Sequence, residues 1–485
     1  MRQLRMGIRR LVIGVLVGIF GYAPLCPGLT YTPLDRDQAM SAARAVTAER
    51  YPNAEVVQAD TRQWVSYRSD GTCTQWYEIY VKILTEKGMR RYKTVTSSYT
   101  IPYNSTRFTL VEVIRADGST LGVDVEKHSS DTIEQSQMAS NIYDPNQRIV
   151  RVSIPELGVG DTVHFILHDE FRRARMANTF SDYVLFEGTD PIVRSEYRVT
   201  APEDAPLKSI ALKNEVPGTV TRTKETSQGE TTWTWTARNV PQAYEEPQMP
   251  PLHTQAQRLL VSTIPDWETV SRWYWNLCRP KIEAVTPEME ATVKTLTAGI
   301  GDPGKKAEAI FYWVSQEIRY LGITVEKDAP GYEPHEASMT FSRRAGVCRD
   351  KAALLVAMLR LAGLEAYPVL IMNGPKKDPE VPQPYFNHAV ACVRNPDGTD
   401  LLMDATDEST RELFPAYLNN QSYLTATPRG ETLLTSPIVP AGQNMLTIDT
   451  TGSLDERGTL QAATLITFEG INDNVYRRHF SGLTL

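Results

Sequence analysis

The segment Ala345–Ala366, AGVCRDKAALLVAMLRLAGLEA, decides the fold of the central part of the chain. Its pattern predicts a short turn, a helix that begins near Cys348, and Gly363 as the residue that ends the helix. From residue 352 to residue 362 only Arg360 is charged, so the helix is apolar on almost every side. A helix of this kind is expected to lie inside a domain, covered by several neighbours.

Cys348 falls in the first turn of this predicted helix. Unpaired backbone N–H groups and the positive end of the helix dipole favour an anion at that place. The same surroundings lower the pKa of a thiol and produce a nucleophilic thiolate. The alternative is a buried structural cysteine, and the residues downstream decide between the two.

Composition and cysteine usage exclude several classes of protein. A chain of 485 residues predicts two to four domains, and its net charge of −7 gives no electrostatic reason to expect a nucleic-acid partner. After Cys26 the cysteines Cys73, Cys278, Cys348 and Cys392 are widely spaced. This spacing predicts neither a disulfide framework nor a zinc site, although it leaves room for one disulfide. We expect no metal and no organic cofactor.

The first residues have the pattern of a targeting segment. Arg2–Arg10 is rich in arginine, and Leu11–Leu25 is an uncharged and mostly apolar run. That run is short for a membrane span and typical of a secretory signal. We interpret residues 1–30 as a signal peptide or an uncleaved N-terminal anchor. The protein is therefore expected to be exported, to the periplasm, the cell envelope or the medium, with membrane anchoring through this segment as one alternative.

Residues 31–250 predict an antiparallel, sandwich-like β domain. Short β-type runs such as Trp64–Tyr67 and Gln75–Val81 recur along this region. Turn signals separate the runs at Ser69–Thr72, Ala116–Ser119 and Gly158–Asp161. His164 and His168 would share one face of a regular strand, and we interpret them as structural residues rather than metal ligands. No catalytic group is evident in this domain.

Residues 251–440 predict an α+β domain, which follows a proline-rich linker at Glu246–Pro251. Thr286 is a predicted N-cap with Pro287 at the first helical position. Residues 441–485 alternate like strands and form a short C-terminal β segment. This segment either docks on a neighbour or begins a further domain.

A predicted β-hairpin in the second domain brings two polar residues together. Asn395–Thr399 suits a type I turn followed by a left-handed glycine, and it closes a three-residue loop. The resulting register puts His388 and Asp404 on the same face of the hairpin, one diagonal step apart.

Cys348, His388 and Asp404 are the residue types of a nucleophilic acyl-transfer site. The thiolate would attack a carbonyl carbon, His388 would accept and return a proton, and Asp404 would orient the imidazole. Backbone N–H groups near the cysteine could stabilise the oxyanion. The alternative is a structural strand histidine with an aspartate that caps the strand end.

At these residues the chain resembles the transglutaminase-like superfamily, over about Pro303–Pro437. The matching blocks are Gly331-Tyr332-Glu333-Pro334-His335, Gly346-Val347-Cys348-Arg349-Asp350-Lys351-Ala352, Phe386-Asn387-His388 and Met403-Asp404-Ala405-Thr406. The resemblance implies a papain-like α+β fold with the cysteine on a helix and the histidine and aspartate on adjacent strands. It implies Cys348 as nucleophile, His388 as general base and Asp404 as its orienting partner. Val347 departs from the pattern, since many relatives have Asp before the cysteine.

The upstream region resembles the β domain of unknown function that commonly precedes this core in exported bacterial proteins. Its matching phrases are Lys82–Gly88, Ile101–Tyr103 and Pro155–Asp161. The resemblance therefore covers most of the predicted domain organisation.

Other residues near the predicted site have weaker support. We interpret His335 and Asp350 as structural and Cys392 as a packing residue of the His388 strand. Three aromatic residues either line a cleft or pack in the core. They are Trp313, Tyr320 and Tyr332.

Two functions remain in view. The first is an exported cysteine enzyme that performs acyl transfer or amide hydrolysis on protein or peptide substrates. The second is a cell-envelope binding or assembly protein, catalytically weak or inactive, in which the β domains recognise a surface component.

Overall fold

The computed structural model describes residues 31–323, 329–481 and 483. From Leu34 onward the described chain forms one compact unit, so the β domain and the α+β domain belong together. The predicted signal peptide or anchor, residues 1–30, lies outside the described residues. Within the described part of the chain, no helix has the length and apolar character needed to cross a membrane.

The N-terminal domain is rich in β structure, as predicted. Its elements are α1 Arg36–Arg44, β1 Val56–Tyr67, β2 Cys73–Ile83, α2 Glu86–Tyr92, β3 Thr94–Thr100, β4 Asn104–Ile114, β5 Thr120–Gly122, α3 Val125–His128, β6 Ser129–Ile133, β7 Ile142–Tyr143, β8 Gln147–Ser153, β9 Thr162–Phe171, β10 Ser181–Leu185, β11 Ile192–Pro202, β12 Ser209–Lys213, β13 Val220–Ser227 and β14 Glu230–Val240.

An eight-stranded sheet in the order β13-β14-β11-β1-β2-β9-β4-β5 forms the main layer of this domain. A three-stranded sheet, β3-β8-β6, packs against it through residues such as Val95, Val152 and Val163. The sandwich is thus present, but it is not wholly antiparallel, because β1 and β11 pair in parallel. Turn signals predict hairpins between neighbouring segments, whereas this pairing joins strands more than a hundred residues apart.

The second domain is an α+β core. Two elements, α4 Leu252–Gln255 and β15 Arg258–Ser262, precede it. Its own elements are α5 Trp267–Ile282, α6 Pro287–Leu296, α7 Pro303–Glu317, β16 Arg319–Tyr320, β17 Gly322–Ile323, α8 Ala337–Arg343, β18 Ala345–Gly346, α9 Cys348–Leu361, β19 Ala366–Ile371, β20 His388–Arg394, β21 Asp400–Met403, β22 Ser422–Thr425 and β23 Leu434–Thr435.

The apolar helix α9 lies at the centre of this core, as its sequence predicts. Every residue from Asp350 to Leu359 is buried. The helix packs on β19 and β20 of a five-stranded sheet, ordered β21-β20-β19-β22-β23, and on helices α5 to α8. It ends before Gly363, whose φ of +80° takes the chain out of the helix. Burial of this apolar helix places its N-terminal residue, Cys348, at a fixed position in the core.

Polar N-cap residues begin three of the surrounding helices. The side chains of Asp266, Thr286 and Asp302 accept the backbone N–H three residues on, at 2.7, 3.4 and 2.8 Å. Pro287 is the first residue of α6, which confirms the predicted N-cap.

The transition between the two domains lies later than the predicted residue 250. Strand β15 pairs with β10 and β12 of the N-terminal domain to form a third sheet. Its residues Leu259 and Val261 are buried against that domain. The proline-rich linker therefore precedes the last strand of the β domain instead of following it.

The C-terminal segment contains the predicted strands and a helix that was not predicted. Strands β24 Leu446–Leu454 and β25 Leu460–Phe468 pair as a hairpin, and α10 Ile471–Ser481 follows. The buried residue of α10 is the polar Asn474, so the helix has no apolar stripe that faces a core. This lack of an apolar stripe is why hydrophobic periodicity did not indicate it.

Candidate active site

Cys348 is the first residue of α9 and remains partly exposed. The Asp350 side chain accepts the backbone N–H of Val347 at 3.0 Å and thereby holds the start of the helix. Gly346 allows this arrangement, because a Cβ at that position would lie 2.7 Å from the Asp350 Cβ. The thiol is thus presented at the helix N-terminus, where an anion is favoured.

The predicted hairpin places His388 beside Asp404. The observed register pairs Ala391 with Met403 and Arg394 with Asp400, as predicted, and Gly398 has a φ of +85°. His388 opens β20, and Asp404 directly follows β21. His388 Nε2 lies 3.0 Å from Asp404 Oδ2.

Asp404 is itself held in place by hydroxyl groups. Its carboxylate accepts hydrogen bonds from the Tyr417 hydroxyl and, at 2.7 Å, from the Thr406 hydroxyl. Burial opposes the charge of Asp404, but His388 and these hydroxyl groups lower the pKa of the carboxyl to about 2. Asp404 is therefore a buried carboxylate whose charge is directed at the imidazole.

The Cys348 thiol and the His388 imidazole line the same cleft and are close enough for each to shift the pKa of the other. Because Nε2 faces Asp404, Nδ1 is the ring nitrogen left for the thiol. Burial would lower the pKa of His388, but Asp404 and, to a smaller extent, Cys348 raise it to about 10. For Cys348 burial raises the thiol pKa, yet His388, the charge of Arg349 and the Ala389 N–H bring it below its ordinary value.

The other described cysteines lack these partners. Cys73, Cys278 and Cys392 are free and buried, and burial raises the pKa of each thiol. This agrees with the interpretation of Cys392 as a packing residue. Of the four cysteines in the described part of the chain, Cys348 alone has a lowered pKa.

Two family models match the chain, one in each domain. The family model of the Transglutaminase-like superfamily (Transglut_core) matches residues 290–405, and that of a Domain of Unknown Function with a solved structure (DUF3857) matches residues 69–244. The chain carries a transglutaminase-like core. The β-rich domain that precedes it is the domain of unknown function expected from the sequence.

One solved structure shows the same fold, and two others align with low scores. A crystal structure of a candidate protease from Parabacteroides distasonis superposes with a TM-score of 0.62 at 15% identity, over 81% of this chain and 77% of that one. A candidate cysteine protease from Cytophaga hutchinsonii aligns at 12% identity over 82% and 90%, with a TM-score of 0.22. An M1 zinc metallopeptidase from Deinococcus radiodurans aligns at 14% identity over 43% and 42%, with a TM-score of 0.23. These last two scores are too low to bear on the fold. A search of curated proteins finds no match.

Tyr320 is a residue of the transglutaminase-like core that contacts the cysteine directly. Burial and the neighbouring Cys348 thiol raise the pKa of its phenol. Strand β16, which carries Tyr320, pairs in parallel with β18, just before the cysteine. The sequence predicts Tyr320 as either a cleft or a core residue, and in the structure it lines the cleft.

The buried Lys351 holds the segment of the chain that leads into Tyr320. Its ammonium group donates to the carbonyl oxygens of Ser315 and Ile318, at 3.2 and 2.5 Å. Both carbonyls lie at the end of α7, immediately before β16. Sequence reasoning missed this residue, because a lysine in the first turn of a helix is ordinarily exposed.

A cleft of about 430 Å³ opens on the cysteine and the histidine. The core contributes Tyr274, Tyr320, Tyr332 and Arg349, among other residues. The β domain contributes Gln137, Ile142, Asp144, Gln147 and Arg175. Strand β7 reaches the core by pairing in parallel with β17. The β domain therefore forms one wall of the cleft, which nothing in the sequence indicated.

Residues with weaker support separate into structural and cleft-lining groups. His335 Nδ1 lies 3.1 Å from Asp350 Oδ1, which agrees with a structural interpretation of both. Trp313 stacks on Phe341 in the core, whereas Tyr332 lines the cleft.

The β-domain histidines have partners other than a metal. His164 lies between Glu78 and Glu112, at 2.9 and 2.7 Å, and His168 lies against Trp76. Within the described ranges, no group of His, Cys, Asp and Glu side chains is arranged to hold a metal ion.

Proposed function

We propose that the chain is a cysteine enzyme that forms an acyl-enzyme at Cys348 with protein or peptide substrates. The observation that carries the proposal is the His388–Asp404 hydrogen bond beside Cys348, which lies at a helix N-terminus and opens on a cleft. A thiol of lowered pKa beside a raised-pKa imidazole supports a thiolate–imidazolium pair at neutral pH.

The first half of the reaction breaks an amide bond. The Cys348 thiolate attacks the carbonyl carbon, and the electron pair of the carbonyl double bond moves onto oxygen. The Cys348 backbone N–H and the Tyr320 phenol are suitable donors to this oxyanion. As the intermediate collapses, the carbon–nitrogen bond breaks and His388 gives its Nδ1 proton to the departing amine. A thioester and a neutral His388 remain, and the carboxylate of Asp404 keeps the imidazole oriented.

The second half of the reaction decides between hydrolysis and transfer. Water or an amine attacks the thioester carbon, His388 takes the proton of the attacking group, and the carbon–sulfur bond breaks. Water yields an acid and makes the protein a peptidase or amidase. An amine yields a new amide, which is a cross-linking reaction. Both outcomes use the same residues, and no metal or organic cofactor enters either one.

The residue pattern of residues 1–30 supports a place of action outside the cytoplasm. Protein or peptide components of the cell envelope are the substrates that such a location would offer. Attachment to the membrane through the same residues would restrict the enzyme to substrates near the membrane surface.

Alkylation of the folded protein tests the thiolate directly. Iodoacetamide should label Cys348 well below about pH 8, whereas the three buried thiols serve as internal controls in the same mass spectrum. Labelling of Cys348 that follows an ordinary thiol titration, or full turnover by Cys348→Ala, would reject the proposal. A binding or assembly role for the β domains would then be the better explanation.

The same acyl-enzyme can be used to separate hydrolysis from transfer. A peptide thioester is supplied with and without a simple primary amine, and the acid and amide products are measured. An acid product at all amine concentrations indicates a hydrolase, and amide that replaces acid in proportion to the amine indicates a transferase.

A further inference from the structure

Arg175 lies in an aromatic clamp that joins the two domains. Its guanidinium carbon is 4.7 Å from the ring centre of Tyr103 in the β domain and 5.6 Å from that of Tyr332 in the core. Both rings are buried and fixed. The Tyr103 hydroxyl donates to the Pro330 carbonyl oxygen at 3.0 Å, and the Tyr332 hydroxyl accepts the Phe386 N–H at 2.9 Å. The cation is therefore held in one place beside the strand that carries His388.

Arg175 also faces two neighbouring cavities. It lines the cleft of about 430 Å³ that contains Cys348, and it lines a second cavity of about 210 Å³ in the β domain. Tyr385, three residues before His388, is shared by the same two cavities. A bound peptide that extends from the Cys348 thiol toward the β domain would therefore pass the guanidinium of Arg175.

The charge of Arg175 has no anionic partner among the described residues. Several other arginines are ion-paired, as the buried Arg258 is with Asp378 at 2.8 Å and the partly buried Arg194 with Asp60 at 2.8 Å. Arg175 is partly buried but forms neither an ion pair nor a hydrogen bond with the described part of the chain. A partly desolvated guanidinium is satisfied best by a carboxylate, which it can bind through two N–H groups.

The carboxylates near these cavities are occupied. Asp144 lines the cleft, but it is nearly buried and accepts the Asn146 N–H at 2.9 Å. Asp182 lines the second cavity and accepts the Tyr197 hydroxyl at 2.9 Å, and burial raises the pKa of its carboxyl. Neither side chain neutralises Arg175.

We propose that Arg175 is a carboxylate-binding subsite of the cleft, which selects peptides with an acidic group close to the bond attacked by Cys348. The proposal rests on the proposed function. The carboxylate is that of an Asp or Glu side chain or that of a peptide C-terminus, since both present the same two oxygens. The β domain is then the part of the protein that supplies substrate specificity.

Matched pairs of alkylating peptides test the subsite. In each probe the Cys348 thiolate displaces chloride from a chloromethyl carbon and forms a carbon–sulfur bond. One pair is acetyl-Glu-Ala-chloromethyl ketone and its Gln counterpart, and a second is chloroacetyl-Ala-Glu-amide and its Gln counterpart. The third pair, chloroacetyl-Ala-Ala as free acid and as amide, tests a terminal carboxylate. The second-order rate of Cys348 labelling is measured for each.

We expect at least one acidic probe to react about 10- to 100-fold faster than its neutral partner, as charge-assisted hydrogen bonds allow. Arg175→Gln should bring that ratio to about one, and Arg175→Lys should retain part of it. Arg172→Gln is the matched control, because Arg172 is exposed and paired with Glu170, and it should leave the ratio unchanged. The pair that shows the effect identifies the source of the carboxylate.

Equal rates in all three pairs, or a preference that survives Arg175→Gln, would overturn the subsite even where Cys348 reacts rapidly. Failure of every probe to label Cys348 would instead count against the proposed function. In that event the subsite is tested by calorimetric titration of the Cys348→Ala protein with acetyl-Glu-Ala-Ala-amide and its Gln counterpart. Tighter binding of the acidic peptide, lost in Cys348→Ala/Arg175→Gln, supports the subsite, and equal or undetectable binding overturns it.

Discussion

Asp404→Asn removes the charge that stabilises the protonated imidazole while keeping the size of the side chain. Asp404 and Cys348 together raise the pKa of His388 to about 10, against an ordinary value near 6.5, and Asp404 is the stronger of the two. At about 1.4 kcal/mol per pKa unit, the whole shift corresponds to roughly 5 kcal/mol. Asp404 should account for at least about half of it, so the variant should lower the pKa of His388 by about two units.

A less basic His388 makes the thiolate–imidazolium pair less stable, so the pKa of Cys348 should rise by a similar amount. The assay is the rate of iodoacetamide labelling of Cys348 against pH, which follows the thiolate fraction. We expect the midpoint of Asp404→Asn to lie about two pH units higher, with labelling about 100-fold slower at pH values below both midpoints and almost unchanged above both. Thr406→Val is the control, since it removes a neutral partner of Asp404 and should move the midpoint far less. An unchanged midpoint in Asp404→Asn would refute the electrostatic reasoning.

Three further changes test other parts of the structure. Tyr320→Phe should lower turnover of a peptide substrate by about 100-fold, while iodoacetamide should still label Cys348. A turnover equal to that of wild type would show that Tyr320 does not stabilise the oxyanion. Burial raises the pKa of Asp169 to about 6, so the free energy of unfolding should fall as the pH rises from about 4 to 6. Asp169→Asn should abolish this fall, as measured by chemical denaturation at several pH values, and should raise the free energy of unfolding by up to about 3 kcal/mol at pH 7. Gly346→Ala puts a Cβ 2.7 Å from the Asp350 Cβ, so the melting temperature should fall with a cost of about 1–3 kcal/mol, and an unaltered value would contradict the close approach.

Much of the site follows from short-range patterns. The start of α9 at Cys348 and its end before Gly363 depend on local helix signals, and the turn at Asn395–Thr399 sets the register of β20 and β21. A register shifted by one residue would turn a side chain to the other face, so the loop length was sufficient to place His388 and Asp404 together. These features were predictable because each depends on residues close in sequence.

Other features of the site depend on contacts between distant segments. Tyr320, Lys351 and Arg175 have no motif of their own, and their roles arise from the neighbours that folding brings to them. The wall of the cleft supplied by the β domain depends on the pairing of β7 with β17, which lie far apart in the chain. Helix α10 is a further case, because its buried contact is the polar Asn474.

The sequence by itself therefore determined the kind of domains, the central helix and the residues of the candidate nucleophile, base and orienting carboxylate. Only the tertiary structure decided what surrounds them, including the phenol near the thiol, the parallel pairing within the β sandwich and the arginine at the domain junction that has no anionic partner among the described residues. The physical reason is that helix ends and tight turns depend on the conformational preferences of a few neighbouring residues. A cleft, in contrast, is formed by packing between segments that are distant in sequence, and no local pattern indicates which segments will meet.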